Sequence, residues 1–290
     1  MSKISVSQLH KFIIGGANLG QAYGLINKKK QKNGLLKNLW NLGFRKIDLS
    51  NGYHGSEQIV LESDLPWTVQ YKNVLPEVRV YTHKVIKEFI KVKIDKLKMT
   101  NDFSLVIHNT DYVLQNDPKE IFLDIKEIAI QLGVSRFGIS TYTRPEFNLV
   151  NSKANCDVVQ FPYNILDNRF LDFEKTVKPS GIVYQARSIF LQGLLLKDIG
   201  LENWLRNFPE IVNWRNFLKN SGRNALECCL LKVVNNPLID EIVVGFDNEQ
   251  NITDLINALQ SIGSKHEDFY QLSCTNLDLI DPRKWAMNEN

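Results

Sequence analysis

Short runs rich in β-branched and aromatic residues recur along the chain, each followed by a longer stretch with helical spacing, and this alternation constrains the fold more than any other feature. The runs fall at 12–14, 44–47, 79–81, 104–107, 136–139, 157–159, 182–184 and 241–244. Helical spacing occupies 33–42, 56–63, 85–98, 118–132, 144–151, 169–177, 203–235 and 249–261, with 203–235 long enough for two helices. Strands separated by helices pair in parallel, and eight such units in a chain of 290 residues predict an α/β fold, a single (β/α)8 TIM barrel. No Pro/Gly/Ser-rich linker interrupts the rhythm, so residues 1–290 read as one domain.

Composition narrows the function classes. A net charge of +3 with dispersed basic residues gives no nucleic-acid footprint, and the one tight cluster, Lys28-Lys29-Lys30, reads as a solvated loop. No apolar run reaches the length of a membrane span, and the N-terminus has no hydrophobic signal segment, so a cytoplasmic protein is expected. Cys156, Cys228, Cys229 and Cys274 lack metal-ligand or redox spacing and read as buried free thiols. With five histidines and no H-x-H or H-E-x-x-H, no metal site is expected.

On a parallel barrel the active site lies at the carboxyl ends of the strands. Asp48, Tyr53, Lys84 and His108 follow the second, third and fourth runs. Each alone is ordinary: a lone histidine after a strand is usually scaffolding, and a lone lysine usually faces solvent. An acid, a phenol, an amine and an imidazole from successive strand ends form a set suited to proton transfer.

The segment Gly43-Phe44-Arg45-Lys46-Ile47-Asp48-Leu49-Ser50-Asn51-Gly52-Tyr53-His54-Gly55-Ser56-Glu57 resembles the G-[FY]-R-x-[FI]-D-T-A-x-x-Y-G-x-S-E motif of the aldo-keto reductase superfamily. Thr82-His83-Lys84 is similar to the family's T-K strand end, Leu105-Val106-Ile107-His108 to its L-x-x-H, and Phe137-Gly138-Ile139-Ser140 to its I-G-V-S. Gln160-Phe161-Pro162-Tyr163-Asn164 resembles Q-x-x-Y-N, and Val243-Val244-Gly245 a late cofactor segment. Within the superfamily, Tyr23 to Asn27, Ala186 to Leu195 and Ile280 to Trp285 are similar to a short-loop bacterial branch often associated with cell-surface sugar metabolism.

The resemblance implies an NAD(P)-dependent oxidoreductase that reduces an aldehyde or ketone, with a sugar-related carbonyl among the substrates expected. Its cofactor would be NADP(H), with NAD(H) left open, and its partner a small-molecule carbonyl substrate, without nucleic acid or membrane. Carbonyl reduction leaves charge on oxygen, so an acid must deliver a proton there. Tyr53 would be that acid, its phenol made more acidic by the Lys84 ammonium, with Asp48 holding Lys84 charged and His108 donating to the carbonyl oxygen.

Ser140, Thr141, Gln160, Arg187, Ser188, Gly245 and Asn248 would contact the cofactor. Arg187 stands where many members stack a tyrosine on the nicotinamide, and Leu255 where an adenine-contacting asparagine is common. Tyr23, Phe161 and Tyr163 are candidates to line the substrate pocket, with core packing equally open. Gly15-Gly16-Ala17-Asn18-Leu19-Gly20 does not fit G-x-G-x-x-G, and no phosphate-loop motif occurs. Two further readings stay open: a catalytically quiet nicotinamide-binding regulatory protein, and a Schiff-base aldolase using Lys84, which the presence of Asp48 opposes.

Overall fold

The computed structural model describes residues 9–20, 34–73, 83–98, 100, 102–108, 110, 121–171, 177–197, 208–263, 267 and 269–287. Eight parallel strands close into a barrel in sequence order: β1 Phe12–Gly15, β2 Lys46–Ser50, β3 Thr68–Asn73, β4 Phe103–Ile107, β5 Arg136–Ser140, β6 Val158–Pro162, β7 Val183–Arg187 and β8 Glu241–Val244. The helices are α1 Ala17–Gly20, α2 Leu35–Leu42, α3 Ser56–Glu62, α4 His83–Leu97, α5 Ile121–Gln131, α6 Arg144–Ala154, α7 Pro209–Ser221, α8 Ala225–Val234, α9 Glu249–Ser261 and α10 Leu277–Ile280. The barrel and seven of its strands lie where the alternation puts them, and 203–235 contains both α7 and α8. The third strand is the correction. The run at 79–81 lies outside the described residues, and the strand between β2 and β4 is Thr68–Asn73.

Local chemistry explains the element ends. Thr143 caps α6 by accepting from the Glu146 amide, Glu146 reaches back to the cap, and Pro145 occupies the first turn. Asn224 and Asn248 cap α8 and α9 with side-chain oxygens. Gly43 ends α2 at φ 108°, and Gly55 begins α3 at φ 79°, conformations that glycine adopts without a Cβ clash.

Helices cover the outside of the barrel through a continuous core that includes Phe161, stacked on Phe170 at 3.9 Å, and Trp67, edge-on to Trp40 at 5.0 Å. A second cluster joins Leu191, Leu194, Leu195 and Trp214 to Leu279, Ile280 and Trp285, pinning the C-terminal segment against the loops that follow β6 and β7. Trp285 Nε1 donates to the Leu279 carbonyl at 3.0 Å, and the Cys274 amide to the Leu166 carbonyl at 2.8 Å. All four cysteines are buried free thiols.

The β5–β6 seam leaves no space at Gly138. A Cβ there would stand 1.9 Å from the Val158 carbonyl oxygen and 2.5 Å from its Cγ1. Gly138→Ala is therefore expected to destabilise the fold by at least ~2 kcal/mol, read as a lower urea midpoint at unchanged slope. An unshifted midpoint would refute this packing.

Candidate active site

The barrel interior carries amides and charge where branched apolar side chains are usual. At its floor, the first residues of β8, β2 and β5 meet: the Glu241 carboxylate pairs with Lys46 and, at 3.4 Å, with Arg136. Gln185 Nε2 donates to Glu241 Oε2 and to Gln70 Oε1, both at 2.7 Å. Asp48 Oδ1 accepts from Gln70 Nε2 at 2.9 Å and from Gln160 Nε2 at 3.3 Å. Register makes the contacts between neighbouring strands, with Asp48 beside Gln70 and Gln185 beside Glu241, while Gln160–Asp48, Gln185–Gln70 and the Glu241 ion pairs cross the barrel.

Lys72, near the end of β3, stands at the top of this column. Its Nζ lies 2.8 Å from Asp48 Oδ2 in an ion pair and donates to Gln160 Oε1 at 3.2 Å. Both side chains are buried, Lys72 at 3% exposed and Asp48 at 1%. Burial alone pushes the ammonium's pKa down, but the Asp48 carboxylate and the hydrogen-bonded Tyr53 phenol outweigh it and hold Lys72 above the ordinary lysine value. The ammonium is 5.1 Å from the Tyr53 ring centroid.

Tyr53 reaches that position through a tight turn after β2. Its amide donates to the Ser50 carbonyl at 3.0 Å, and the Gly52 amide to Ser50 Oγ at 3.1 Å. Gly20 and Gly55 then pack backbone to backbone, since a Cβ on Gly20 would meet the His54 carbonyl at 2.2 Å. His108 follows β4, half-buried, and its Nδ1 is shielded from solvent without a hydrogen-bond partner among the described residues. Burial first, then the Lys72, Arg187 and Arg283 charges, push its pKa well below the usual imidazole value, so it is neutral at physiological pH.

The remaining expected residues divide. Ser140 Oγ accepts from Arg187 Nε at 3.3 Å, and Arg187 Nη1 donates to Ser188 Oγ at 3.4 Å, joining the ends of β5 and β7. Ser188 adopts φ 54°. Thr141 is turned toward α6, where its hydroxyl donates to the Glu146 carboxylate, a helix-capping arrangement. Asn248 accepts from the Asn251 amide at 3.1 Å, and Gly245 faces Asn18, leaving no room for a Cβ. Phe161 and Tyr163 are buried in the core, while Tyr23 and Lys28 to Lys30 lie outside the described residues.

Lys84 requires correction. It sits exposed in the first turn of α4, away from the strand end at which the sequence pattern placed it, because β3 ends at Asn73. The lysine that meets Asp48 and Tyr53 is Lys72. Its signal was present in Thr68-Val69-Gln70-Tyr71-Lys72, where Val69 and Tyr71 turn outward to the helices and Gln70 and Lys72 turn inward. Gln70, Gln185, Glu241, Arg169, Arg283 and Tyr142 also border the site or its supporting column without having been anticipated.

Two outcomes follow from the electrostatics. Asp48→Ala leaves the Lys72 ammonium buried without its carboxylate and should destabilise the protein by about 3–5 kcal/mol in chemical denaturation, against a small loss if the pair were solvated. Because an unfolded histidine takes up a proton near pH 6.5 and folded His108 does so only at lower pH, the unfolded chain binds more protons in that window. Stability should then fall as pH drops below about 6.5, and His108→Gln should flatten the slope of melting temperature between pH 7 and 5.

Comparison with known proteins agrees with this architecture. The family model described as Aldo/keto reductase family matches residues 11–273. Among solved structures, the chain is similar to the holo form of aldo-keto reductase AKR11C1 from Bacillus halodurans, with TM-score 0.69, 16% identity and 90% of each chain covered. It is also similar to the thermostable aldo-keto reductase Tm1743 in complex with the inhibitor epalrestat, with TM-score 0.64, 17% identity and 93% and 94% of the two chains covered. No curated protein matches it. At these identities the solved structures speak for the fold, while the family match extends over most of the chain: this protein belongs to the aldo-keto reductase family.

Proposed function

We propose that this protein is an NAD(P)H-dependent reductase of a small aldehyde or ketone, with Tyr53 as proton donor, Lys72 and Asp48 as the pair that tunes it, and His108 as the group that positions the carbonyl oxygen. The observation that carries the reading is the buried Lys72–Asp48 pair at 2.8 Å, hydrogen-bonded onward to the Tyr53 phenol at the carboxyl end of the barrel.

A bound nicotinamide would supply the hydride that reaches the carbonyl carbon. Lys72 is charged, and a cation beside a phenol favours the phenolate and so eases proton release from Tyr53 as charge builds on the carbonyl oxygen. Asp48 fixes the ammonium and holds it protonated. His108, neutral and with a ring nitrogen that has no partner among the described residues, is suited to hydrogen-bond that oxygen without adding a competing charge. The barrel mouth fits a nicotinamide: Ser140 keeps a hydroxyl proton to donate, and Gln160, beside it in register, offers an amide if it exchanges one of its 3.2–3.3 Å contacts inside the barrel. Ser188, Gly245 and Asn248 mark the ends of β7 and β8 along which the remainder of the cofactor would lie.

The charged state of Lys72 opposes the aldolase reading, because a protonated amine is not a nucleophile. The experiment is to follow NADPH and NADH absorbance with a panel of aldehydes, ketones and aldoses. Tyr53→Phe should lower kcat by roughly 10²–10⁴-fold with cofactor affinity retained, because only the proton donor is lost. Lys72→Met should lower kcat comparably, whereas Lys84→Ala should keep the wild-type rate. A Tyr53→Phe enzyme at full rate would remove the assignment, and cofactor binding without turnover of any carbonyl would favour the regulatory reading.

A further inference from the structure

Among the described residues, the arginines at the barrel mouth are not all matched by carboxylates. Arg169 is locked to Asp167 through Nε at 3.0 Å and Nη2 at 2.8 Å. Arg283, on the C-terminal segment, is locked to Asp281 through Nε at 2.9 Å and Nη2 at 2.7 Å. Arg187 has no such carboxylate among the described residues: its Nε and Nη1 reach only the Ser140 and Ser188 hydroxyls. Its Nη2 is shielded from solvent and has no hydrogen-bond partner there. A buried guanidinium nitrogen without an acceptor is costly, and a carboxylate or phosphate matches its geometry better than a neutral group.

The surroundings hold this cation at the carboxyl end of the barrel, on the ends of β5 and β7. The Tyr142 ring, just beyond β5, holds the Arg187 guanidinium 4.5 Å and the Arg283 guanidinium 3.7 Å from its centroid. Arg187 ends β7 at the carboxyl end of the barrel and bonds to Ser140, which lies beside Gln160 in register, and Gln160 in turn accepts from Lys72. The Arg187 and Arg283 charges also act on the His108 imidazole. Asp48 does not balance them, being already committed to Lys72. We propose that Arg187, held beside Arg283 on the Tyr142 ring, binds an anionic group, a carboxylate or a phosphate, carried by the carbonyl substrate; this rests on the reductase reading given above. The substrate class is then an aldehyde or ketone bearing a negative charge, drawn in with its carbonyl toward His108 and Tyr53. Arg283 acts here as a positioning residue that crowds the same ring and adds to the local field.

The test compares matched substrates. Wild-type enzyme should favour 4-carboxybenzaldehyde over its neutral methyl ester, or glyceraldehyde 3-phosphate over glyceraldehyde, by about tenfold or more in kcat/KM, the pair that responds identifying the anion. Arg187→Met should bring that ratio close to one, and Arg187→Gln, which retains a donor for Ser140, should do the same and covers a methionine variant that fails to fold. Equal turnover within both pairs, or a preference that survives both substitutions, would overturn the proposal. So would a loss of NADPH and NADH affinity in Arg187→Gln beyond about tenfold, which would assign the guanidinium to the cofactor's own phosphates. If no carbonyl is turned over, the reductase reading fails separately, and calorimetric titration of benzoate and inorganic phosphate decides the anion site. Heat present in wild type and absent in Arg187→Gln supports it; no heat, or heat in both, refutes it.

Discussion

The ion pair of Asp48 and Lys72 is the interaction on which the interior of this barrel depends. Two charges removed from water would ordinarily be a burden, because mutual attraction seldom repays their full desolvation. Here the surrounding amides do the work that water would do. Gln70 and Gln160 donate to one Asp48 oxygen, Gln160 accepts from Lys72, and Gln185 carries the chain of hydrogen bonds down to Glu241 at the floor. The floor acid is itself neutralised by Lys46 and Arg136. These inward polar groups find partners on neighbouring strands and across the barrel, so closure of the sheet and satisfaction of its charges are one event.

Much of this was legible from residue order. The alternation of β-rich and helical segments gave the barrel, and the extents of β8 and α9 were readable to the residue. The third strand was not, for a physical reason. Its inward positions are Gln70 and Lys72 because the barrel axis is polar, and those two polar residues mask the strand signal of Thr68, Val69 and Tyr71. The lysine was misplaced with the strand. Whether Lys72 or Lys84 meets Asp48 is decided by the inter-strand register, with Gln70 beside Asp48 and Lys72 beside Ser50, and register across two strands leaves no local mark on sequence. The glutamine column was hidden for the same reason, since Gln70, Gln160 and Gln185 lie far apart in the chain. Thr141 shows the opposite error: a hydroxyl at a strand end, suggestive of a ligand contact, is satisfied by the helix that follows.

The rim differs from the axis in its electrostatics. Below, Glu241 is matched by Lys46 and Arg136; above, Lys72 is balanced, His108 is kept neutral by burial and by neighbouring cations, and Arg187 has, among the described residues, two hydroxyls and the Tyr142 ring for partners but no carboxylate. Burial and the cations around it keep the imidazole neutral, while Asp48 and Tyr53 keep the amine charged, so the two protonation states are set by different neighbours.

Arg283 reaches the rim from a segment that lies beyond the residues matched by the family model, which end at 273. What holds it there is the wedge of Trp285 among Leu279, Ile280 and the Leu191–Leu196 turn, together with the Asp281 carboxylate. The Asp48–Lys72 pair with its glutamine column and the charge that Arg283 brings to the entrance therefore reside on different stretches of chain. A lineage could exchange this terminal clasp and so change the charge at the entrance while the strands and their glutamines stay untouched.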